Sequence, residues 1–173
     1  MALDCALSQP DRVAGLILLA PGVRGAPAPE LDRDTQRFSD LIDQAIAAGD
    51  LDEINWLETW LWLGGPGSAE GRVGGEARRL TLEMNAIVLR HDVPHDLERS
   101  PAADAWQRLG EVVAPTIVAC GELDLPLQLA QSRGIADRVP RAVHQVLPGM
   151  AHLANVEQPR AIANLVLEST ARA

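Results

Sequence analysis

The hydrophobic pattern divides the chain into short apolar runs near its two ends and a long helical middle. Short, mainly apolar runs of strand length occupy residues 13–20 (from Val13 to Ala20), 116–120 and 143–147, and each is followed by a turn that contains Gly. Such runs predict buried strands, and the continuous apolarity of residues 13–20 is typical of a strand that is covered on both faces of a parallel sheet. A helix-like segment separates the second and third runs, which predicts a parallel βαβ unit.

From about residue 31 to residue 90 the apolar positions recur with helical spacing. The first helical stripe ends at Gly49, Asp50 is placed to cap a second helix, and a third helix is predicted over residues 76–90. We therefore expect an α/β core built from residues 1–30 and 100–173, interrupted by a helical cap over residues 31–99. The first stripe consists of Phe38, Leu41, Ile42, Ala45 and Ile46.

The amino-acid composition restricts the classes of protein to which this chain can belong. At 173 residues, 47% hydrophobic and 23% charged, the chain has the composition of a soluble globular domain with a sizeable core. A net charge of −9 argues against binding to nucleic acid, which needs a basic face. No apolar run reaches the ~18–20 residues that span a bilayer, and two cysteines are too few for a disulfide framework. We therefore expect a cytoplasmic protein that binds neither membranes nor nucleic acid.

The first residues indicate that an N-terminal part is missing. Residues 1–8 have the spacing of a helix in mid-course, with no capping residue before it and Pro10 after it. A domain seldom begins in this way, so we expect Met1 not to be the start of the complete protein.

Two residues that can do acid–base chemistry follow two of the predicted strands. Asp124 comes after the run at 116–120, and His152 comes after the run at 143–147. The carboxyl ends of parallel strands meet at one edge of a sheet, where the functional crevice of an open α/β fold lies. Two plainer interpretations stay open here: Asp124 as a turn or N-cap residue, and His152 as an incidental loop histidine.

The motifs around these two residues resemble those of the α/β-hydrolase family. Gly121-Glu122-Leu123-Asp124 resembles the G-x-x-D turn that carries the family's acid. Pro148-Gly149-Met150-Ala151-His152, followed by Glu157-Gln158-Pro159, resembles the family's P-G-x-x-H…E-x-P segment, and the 28-residue separation of acid and histidine is usual for it. Residues 9–21 and 108–116 also resemble segments of the family's sequences, so the resemblance covers essentially the whole chain.

This resemblance implies a fold and a reaction. The fold is α/β, the C-terminal part of a doubly wound α/β-hydrolase sheet with about three parallel strands and an inserted helical cap. The reaction is hydrolysis of a small ester or lactone, as in the esterase and enol-lactonase branch, through a covalent acyl intermediate and without a cofactor. Asp124 would orient His152, and His152 would act as the general base of a Ser-His-Asp triad.

The sequence departs from the family at the nucleophile. No serine of this chain has glycines at both −2 and +2, so the G-x-S-x-G elbow is absent, and the family's layout places it before Ala2. We therefore expect the chain alone to be inactive. Two alternatives stay open: an Asp nucleophile, as in dehalogenases and epoxide hydrolases, or a non-catalytic chain that forms homo-oligomers through the exposed edge of the strand from Val13 to Ala20.

The small-molecule substrate is expected to contact Trp56 and Trp60 in the cap and, beside the acid and the base, Leu125 and Met150. Trp62 is a further candidate for lining a pocket beneath the cap, and packing within the cap is the alternative role of each of the three tryptophans. Cys120 could be a thiol nucleophile, but its place at the end of the acid strand favours a small buried residue.

No metal site is predicted. His91 and His95 have the four-residue spacing of two ligands on one helix face, but Pro94 breaks that helix and no third ligand is evident. His144 lies inside a predicted strand and is interpreted as structural.

Overall fold

A computed structural model describes residues 2–27, 30–91 and 104–170. Its sheet has three parallel strands in the order β1 (Leu16–Leu19), β2 (Thr116–Gly121) and β3 (Ala142–Leu147). Leu16 lies opposite Thr116, and Thr116 lies opposite Ala142. All three strands therefore end at the same edge of the sheet, as the α/β pattern predicts.

Seven α-helices accompany the sheet in the described ranges. Asp32 and Asp50 cap α2 and α3 with their carboxylates, and Gly49 ends α2 in the left-handed conformation with φ = 68°. The helices are α1 (Ala2–Ser8), α2 (Arg33–Ala48), α3 (Leu51–Thr59), α4 (Gly75–Arg90), α5 (Pro126–Ala136), α6 (Ala154–Glu157) and α7 (Pro159–Thr170), and a π-helical turn (Trp60–Gly64) continues α3.

Helices cover both faces of the sheet, which explains why β2 is apolar throughout. Leu3 and Ala6 of α1 and Ile135 of α5 pack against Val118 on one face. Ile162 of α7 and Ala154 of α6 pack in a second cluster with Ala119 on the other face. The prediction of a doubly wound arrangement with about three parallel strands is therefore confirmed.

The expectation that the run at 143–147 is a buried strand is wrong. In β3, Val143 is 63% exposed and Val146 is 44% exposed, and only Leu147 is buried. The strand pairs with β2 alone and lies at the edge of the sheet, where the helices packed over β2 cover only part of it.

Between β1 and β2, the helices α2, α3 and α4 and the π-helical turn form what we call the helical insert. Its core is a separate cluster of buried apolar side chains. These helices fall inside the range 31–99 expected for a cap, and residues 92–99 of that range lie outside the described residues. The cluster consists of Phe38, Ala45, Ile54, Leu57 and Leu61, with Leu125 from the start of α5. In the described part of the chain, no helix has the length and apolarity needed to cross a bilayer.

Candidate functional site

Asp124 lies in a tight turn at the carboxyl end of β2 and is only 4% exposed. Its N–H donates to the Gly121 carbonyl oxygen over 3.2 Å, and its Oδ1 accepts the Leu125 N–H over 2.7 Å. An N-capping side chain would bond to an N–H inside the first turn of the helix, and here Leu125 occupies the N-cap position of α5. Asp124 is therefore no helix cap, and its buried carboxylate needs a further partner.

His152 supplies that partner from the loop after β3. Its Nδ1 lies 3.0 Å from Asp124 Oδ2 and 3.2 Å from Oδ1. Because an ionised carboxylate only accepts hydrogen bonds, this contact places the ring proton on Nδ1 and leaves Nε2 with its lone pair. The His152 side chain is 24% exposed and that of Asp124 is 0% exposed. The acid is thus enclosed, whereas the imidazole reaches open space.

The two loops that carry this pair approach each other closely because residue 121 is Gly. A Cβ on Gly121 would lie 2.3 Å from the Met150 carbonyl oxygen and 2.4 Å from that of Ala151, so no larger residue fits. Hydrogen bonds then fix the loops against each other, and such cross-linking preorganises a site. These bonds run from Leu123 N–H to Met150 O (2.8 Å), from Glu122 N–H to Leu147 O (2.9 Å) and from Gly149 N–H to the Glu122 carboxylate (2.9 Å).

Glu157 holds the histidine loop from its other side. Its carboxylate accepts the Ala151 N–H over 3.0 Å and forms a two-pronged ion pair with Arg72, at 2.7 and 2.9 Å. The Glu157 side chain is 7% exposed and that of Arg72 is 23% exposed, so the pair is largely shielded from solvent. Arg72 also donates to backbone carbonyl oxygens of Leu63, Gly64 and Gly149. This guanidinium therefore ties the helical insert to the loop that carries His152.

The π-helical turn brings Trp62 to the site. Its ring centroid lies 4.7 Å from that of His152, and its carbonyl oxygen accepts the Leu153 N–H over 3.3 Å. A π turn adds a residue to the helical repeat and is common at functional sites, because it redirects side chains. Here it places an aromatic ring from the insert directly against the imidazole.

A cavity of about 380 Å³ opens beside His152 and lies at the small end of the range for ligand pockets. Its walls come from α3, the π-helical turn and α4 on one side and from the histidine loop with α6 on the other. No serine or cysteine belongs to the described walls. They consist of Glu58, Thr59, Trp62, Thr81, Met84, Asn85, Val88, His152, Leu153, Asn155 and Val156.

Comparison with solved structures places this arrangement in a known fold. A 2-hydroxy-6-oxo-6-phenylhexa-2,4-dienoate hydrolase from Rhodococcus sp. strain RHA1 superposes with a TM-score of 0.69 at 17% identity, covering 99% of this chain and 59% of its own. A thermophilic esterase from Thermogutta terrifontis gives a TM-score of 0.66 at 20% identity, covering 99% and 60%. The chain has the α/β-hydrolase fold.

A third structure is described as Est816, an N-acyl homoserine lactone degrading enzyme, and gives a TM-score of 0.58 at 22% identity, covering 96% of this chain and 62% of its own. The chain thus spans about three-fifths of the length of the solved structures that it matches. No protein-family model matches the sequence. No curated protein matches it either.

Cys120 lies at the end of β2 and contacts Asp124. It is 1% exposed, and its Sγ donates to Asp124 Oδ2 over 3.3 Å. Burial, followed by the negative charge of Asp124, raises the pKa of the Cys120 thiol to about 12. The residue is therefore a protonated hydrogen-bond donor, in keeping with the small buried residue that its position favours, and the nucleophilic thiolate is disfavoured.

Four of the five residues predicted to contact substrate do not line the cavity beside His152. Trp60 packs edge-on against Phe38 at 5.0 Å and against Trp56 at 5.4 Å between ring centroids, and Leu125 is buried in the same cluster. Met150 is 6% exposed and points into the cluster between the sheet and α7. All four side chains have a packing role, because each belongs to one of these two hydrophobic clusters.

Trp62, the third tryptophan named as a candidate, does line the cavity, because the π turn, which the apolar pattern does not predict, places its ring on the histidine. The other apolar residues of the wall carry weaker signals in the sequence. Met84 and Val88 of α4 are 52% and 66% exposed. As apolar side chains on an open helix face they resemble core positions in the sequence, and only the packing of α4 beside α6 shows that they form a wall.

The described residues contain no group of three or more His, Cys, Asp or Glu side chains able to hold a metal ion. His91 Nδ1 lies 2.7 Å from the Ile87 carbonyl oxygen at the end of α4, and His95 lies outside the described residues. His144 lies within β3, and its buried Nε2 has no hydrogen-bond partner in the described part of the chain.

Proposed function

We propose that Asp124 and His152 are the acid and the base of a Ser-His-Asp hydrolase that acts on a small ester or lactone, and that the serine lies outside this chain. The observation that carries the proposal is the contact between His152 Nδ1 and Asp124 Oδ2 at 3.0 Å. It combines a buried carboxylate, a defined ring tautomer and an imidazole that lines the cavity and is 24% exposed, which suits general-base catalysis by histidine.

The proposed reaction is acyl transfer in two steps. The serine oxygen attacks the substrate carbonyl carbon while its proton moves to His152 Nε2, and Asp124 stabilises the resulting imidazolium. The same proton then passes to the leaving alkoxide as the C–O bond breaks, which gives an acyl-enzyme and a free alcohol. Water attacks the acyl-enzyme by the reverse proton path, and the acid and the serine are released.

The ester or lactone class is supported by the site and by the relatives. The described cavity is small and is walled mainly by uncharged side chains, with Trp62 beside the base. The solved structures that match this fold include an esterase and an enzyme described as degrading a lactone. Hydrolysis of a neutral acyl compound fits both observations.

A fluorophosphonate probe, which labels only activated serines, tests the proposal. Extracts of cells that make the protein are treated with the probe, and the chain is then captured with an antibody together with any longer product or associated chain. We expect a labelled serine in the captured material. Labelling should be lost when the gene carries His152→Ala, and it should persist with Glu83→Gln, which changes a side chain that is 57% exposed on α4.

Absence of a labelled serine from captured, folded protein would overturn the proposal. In that case, a single turnover in ¹⁸O-labelled water that leaves ¹⁸O on an aspartate of the captured material would establish the Asp nucleophile instead.

A second function, association through the sheet, is supported by the open edge of β1. This strand pairs with β2 only, and in the described residues nothing pairs with its other edge. Unpaired strand edges recruit other strands, so a second copy of this chain is the proposed partner. A monodisperse monomer in sedimentation analysis would contradict this.

A further inference from the structure

The π-helical turn is the part of the helical insert that meets both loops of the site. The residue that follows it, Gly65, is buried and has φ = 91°, a conformation that favours glycine. A Cβ at this position would overlap the carbonyl oxygen of Leu123 in the turn that carries Asp124. The backbone of the insert therefore lies directly against what we call the acid turn (residues 121–124), and only glycine fits at this contact.

The same π-helical turn contacts His152 and the residue after it. The Trp62 ring lies 4.7 Å from the imidazole between centroids, and the Trp62 carbonyl oxygen accepts the Leu153 N–H over 3.3 Å. One residue of the turn thus holds the base by its side chain and the histidine loop by its main chain. Because an imidazole can rotate about its side-chain bonds, an aromatic ring packed beside it restricts the rotation that would break its bond to Asp124.

Arg72 fixes the end of the π-helical turn relative to the histidine loop. Its guanidinium donates to the carbonyl oxygens of Leu63 and Gly64 over 2.9 and 2.7 Å, and to that of Gly149 over 3.0 Å. The last carbonyl oxygens of a helix have no partner within it, so these bonds satisfy the turn and also attach it to the site. Each of residues 62–65 therefore contacts a group outside the turn.

We propose that the π-helical turn positions the acid–base pair, with Gly65 setting its distance from the acid turn and Trp62 holding the imidazole in place. Gly65 and Trp62 are positioning residues in this assignment, since neither carries an acid or a base. A displacement of about 1 Å can lower the rate of an enzyme about a hundredfold, so such support matters to a reaction as well as to folding. The catalytic meaning of the assignment rests on the proposed function, whereas the positioning itself requires no nucleophile.

Exchange of the His152 Nδ1 proton with solvent, measured by NMR on the 173-residue chain, tests the contact at Gly65. In Gly65→Ala the new Cβ must push the insert away from the acid turn, and we expect this proton to exchange about tenfold faster. Gly49→Ala is the matched control, because Gly49 also ends a helix with a positive φ of 68°, but a Cβ there meets nothing within 4 Å. It should lower the thermal midpoint and retain the exchange rate of the parent chain.

Substitutions at Trp62 test the contact with the base, and they decide the proposal if Gly65→Ala does not fold. Trp62→Leu removes the aromatic ring, so we expect the Nδ1 proton to exchange about fivefold faster. Trp62→Phe keeps an aromatic ring and should exchange at close to the parent rate. Trp56→Leu is the control, because that ring packs against Trp60 within the insert and its loss should leave the exchange rate unchanged.

Equal exchange rates in Gly65→Ala and Gly49→Ala, or in Trp62→Leu and Trp62→Phe, would overturn the proposal. A role in folding alone would lower the thermal midpoints without changing the exchange of the Nδ1 proton. These outcomes are distinguishable from failure of the proposed function. Faster exchange in Gly65→Ala and Trp62→Leu without a labelled serine would leave the positioning role standing and remove the reaction, whereas a labelled serine with unchanged exchange would do the reverse.

Discussion

At the scale of single residues, the sequence singles out Asp124 and His152 but not all of the side chains that contact them. Both stand out because each follows a strand in a short, glycine-containing turn. Cys120 is four residues from Asp124 in the chain, yet its thiol contact with the carboxylate depends on how the turn folds back over β2. Trp62 is a candidate in the sequence, but its contact with the His152 ring depends on the π turn, which changes its direction relative to Trp60.

The tautomer of His152 should depend on Asp124. In the parent chain the carboxylate accepts from Nδ1, so ¹⁵N NMR of the neutral ring should show the proton on Nδ1. In Asp124→Asn the amide can donate to Nδ1, which moves the ring proton to Nε2 and removes the basic lone pair. Glu83→Gln on exposed α4 serves as a control and should leave the ring signals unchanged. An Nδ1-protonated ring in Asp124→Asn would contradict the assigned role of the acid.

The alkaline stability of the protein should report on Cys120. The chain contains no Lys and no Tyr, so few side chains besides the two cysteines titrate at alkaline pH. Folding raises the pKa of the Cys120 thiol from its ordinary value of 9.0 to about 12, so the unfolded state loses this proton first. The contribution is complete below pH 9 and is lost as the pH rises from 9 to 12, over which the free energy of unfolding should fall.

Urea unfolding at pH values from 8 to 12 measures this effect, and Cys120→Ala should flatten the curve. Cys5→Ala is the control, because Cys5 is exposed on α1 and its removal should leave the slope in place. A slope that persists in Cys120→Ala would show that another group is responsible.

At the scale of elements, the sequence predicts the helices and strands well and their contacts poorly. Helix periodicity and the cap at Asp50 locate α2 to α4, since both depend on neighbouring residues. The exposure of β3 depends on which elements pack against each other. The same is true of the contacts between the helical insert and the loop that carries His152. Arg72 illustrates this, because it lies 85 residues from the Glu157 that it pairs with.

The Arg72–Glu157 pair should contribute strongly to stability. Glu157→Gln leaves a shielded guanidinium without its charge partner, and breaking a largely buried pair in this way costs about 3 kcal/mol. Glu83→Gln breaks the exposed contact with Arg79, where both side chains are more than half exposed, and should cost about 0.5 kcal/mol or less. Urea unfolding of the two variants measures both values, and equal costs would show that the buried pair has no special role.

Gly121→Ala should displace the histidine loop. The new Cβ would overlap the carbonyl oxygens of Met150 and Ala151, so one of the two loops must move. We expect a lower thermal midpoint together with loss of the His152–Asp124 hydrogen bond, seen as loss of the Nδ1–H signal. Gly67→Ala is the matched control, because a Cβ there meets nothing within 4 Å. Retention of the Nδ1–H signal in Gly121→Ala would contradict this account of the close approach.

At the scale of the whole molecule, Asp124 and His152 lie together at the carboxyl edge of a three-stranded sheet. The order of the motifs was enough to predict the fold, because G-x-x-D, P-G-x-x-H and the apolar runs occur at spacings that one sheet can satisfy. The substrate was not predictable, since the cavity walls come from three separate stretches of the chain. In the described residues, the free edge of β1 follows from the strand order.

That edge leads to the last prediction. The Leu16 N–H donates to the Pro115 carbonyl oxygen, and the Ala20 N–H donates to the Ala119 carbonyl oxygen. Because successive N–H groups of a strand point in alternate directions, the N–H of Ile17 faces the open side of β1. If copies of the chain associate through this edge, Ile17→Pro should shift sedimentation toward the monomer, because it removes a donor from the open side and spares the bonds to β2. Ile17→Val keeps the donor and should associate like the parent. Unchanged association of the proline variant would place the contact elsewhere, and a parent chain that is monomeric at every concentration would exclude self-association through β1.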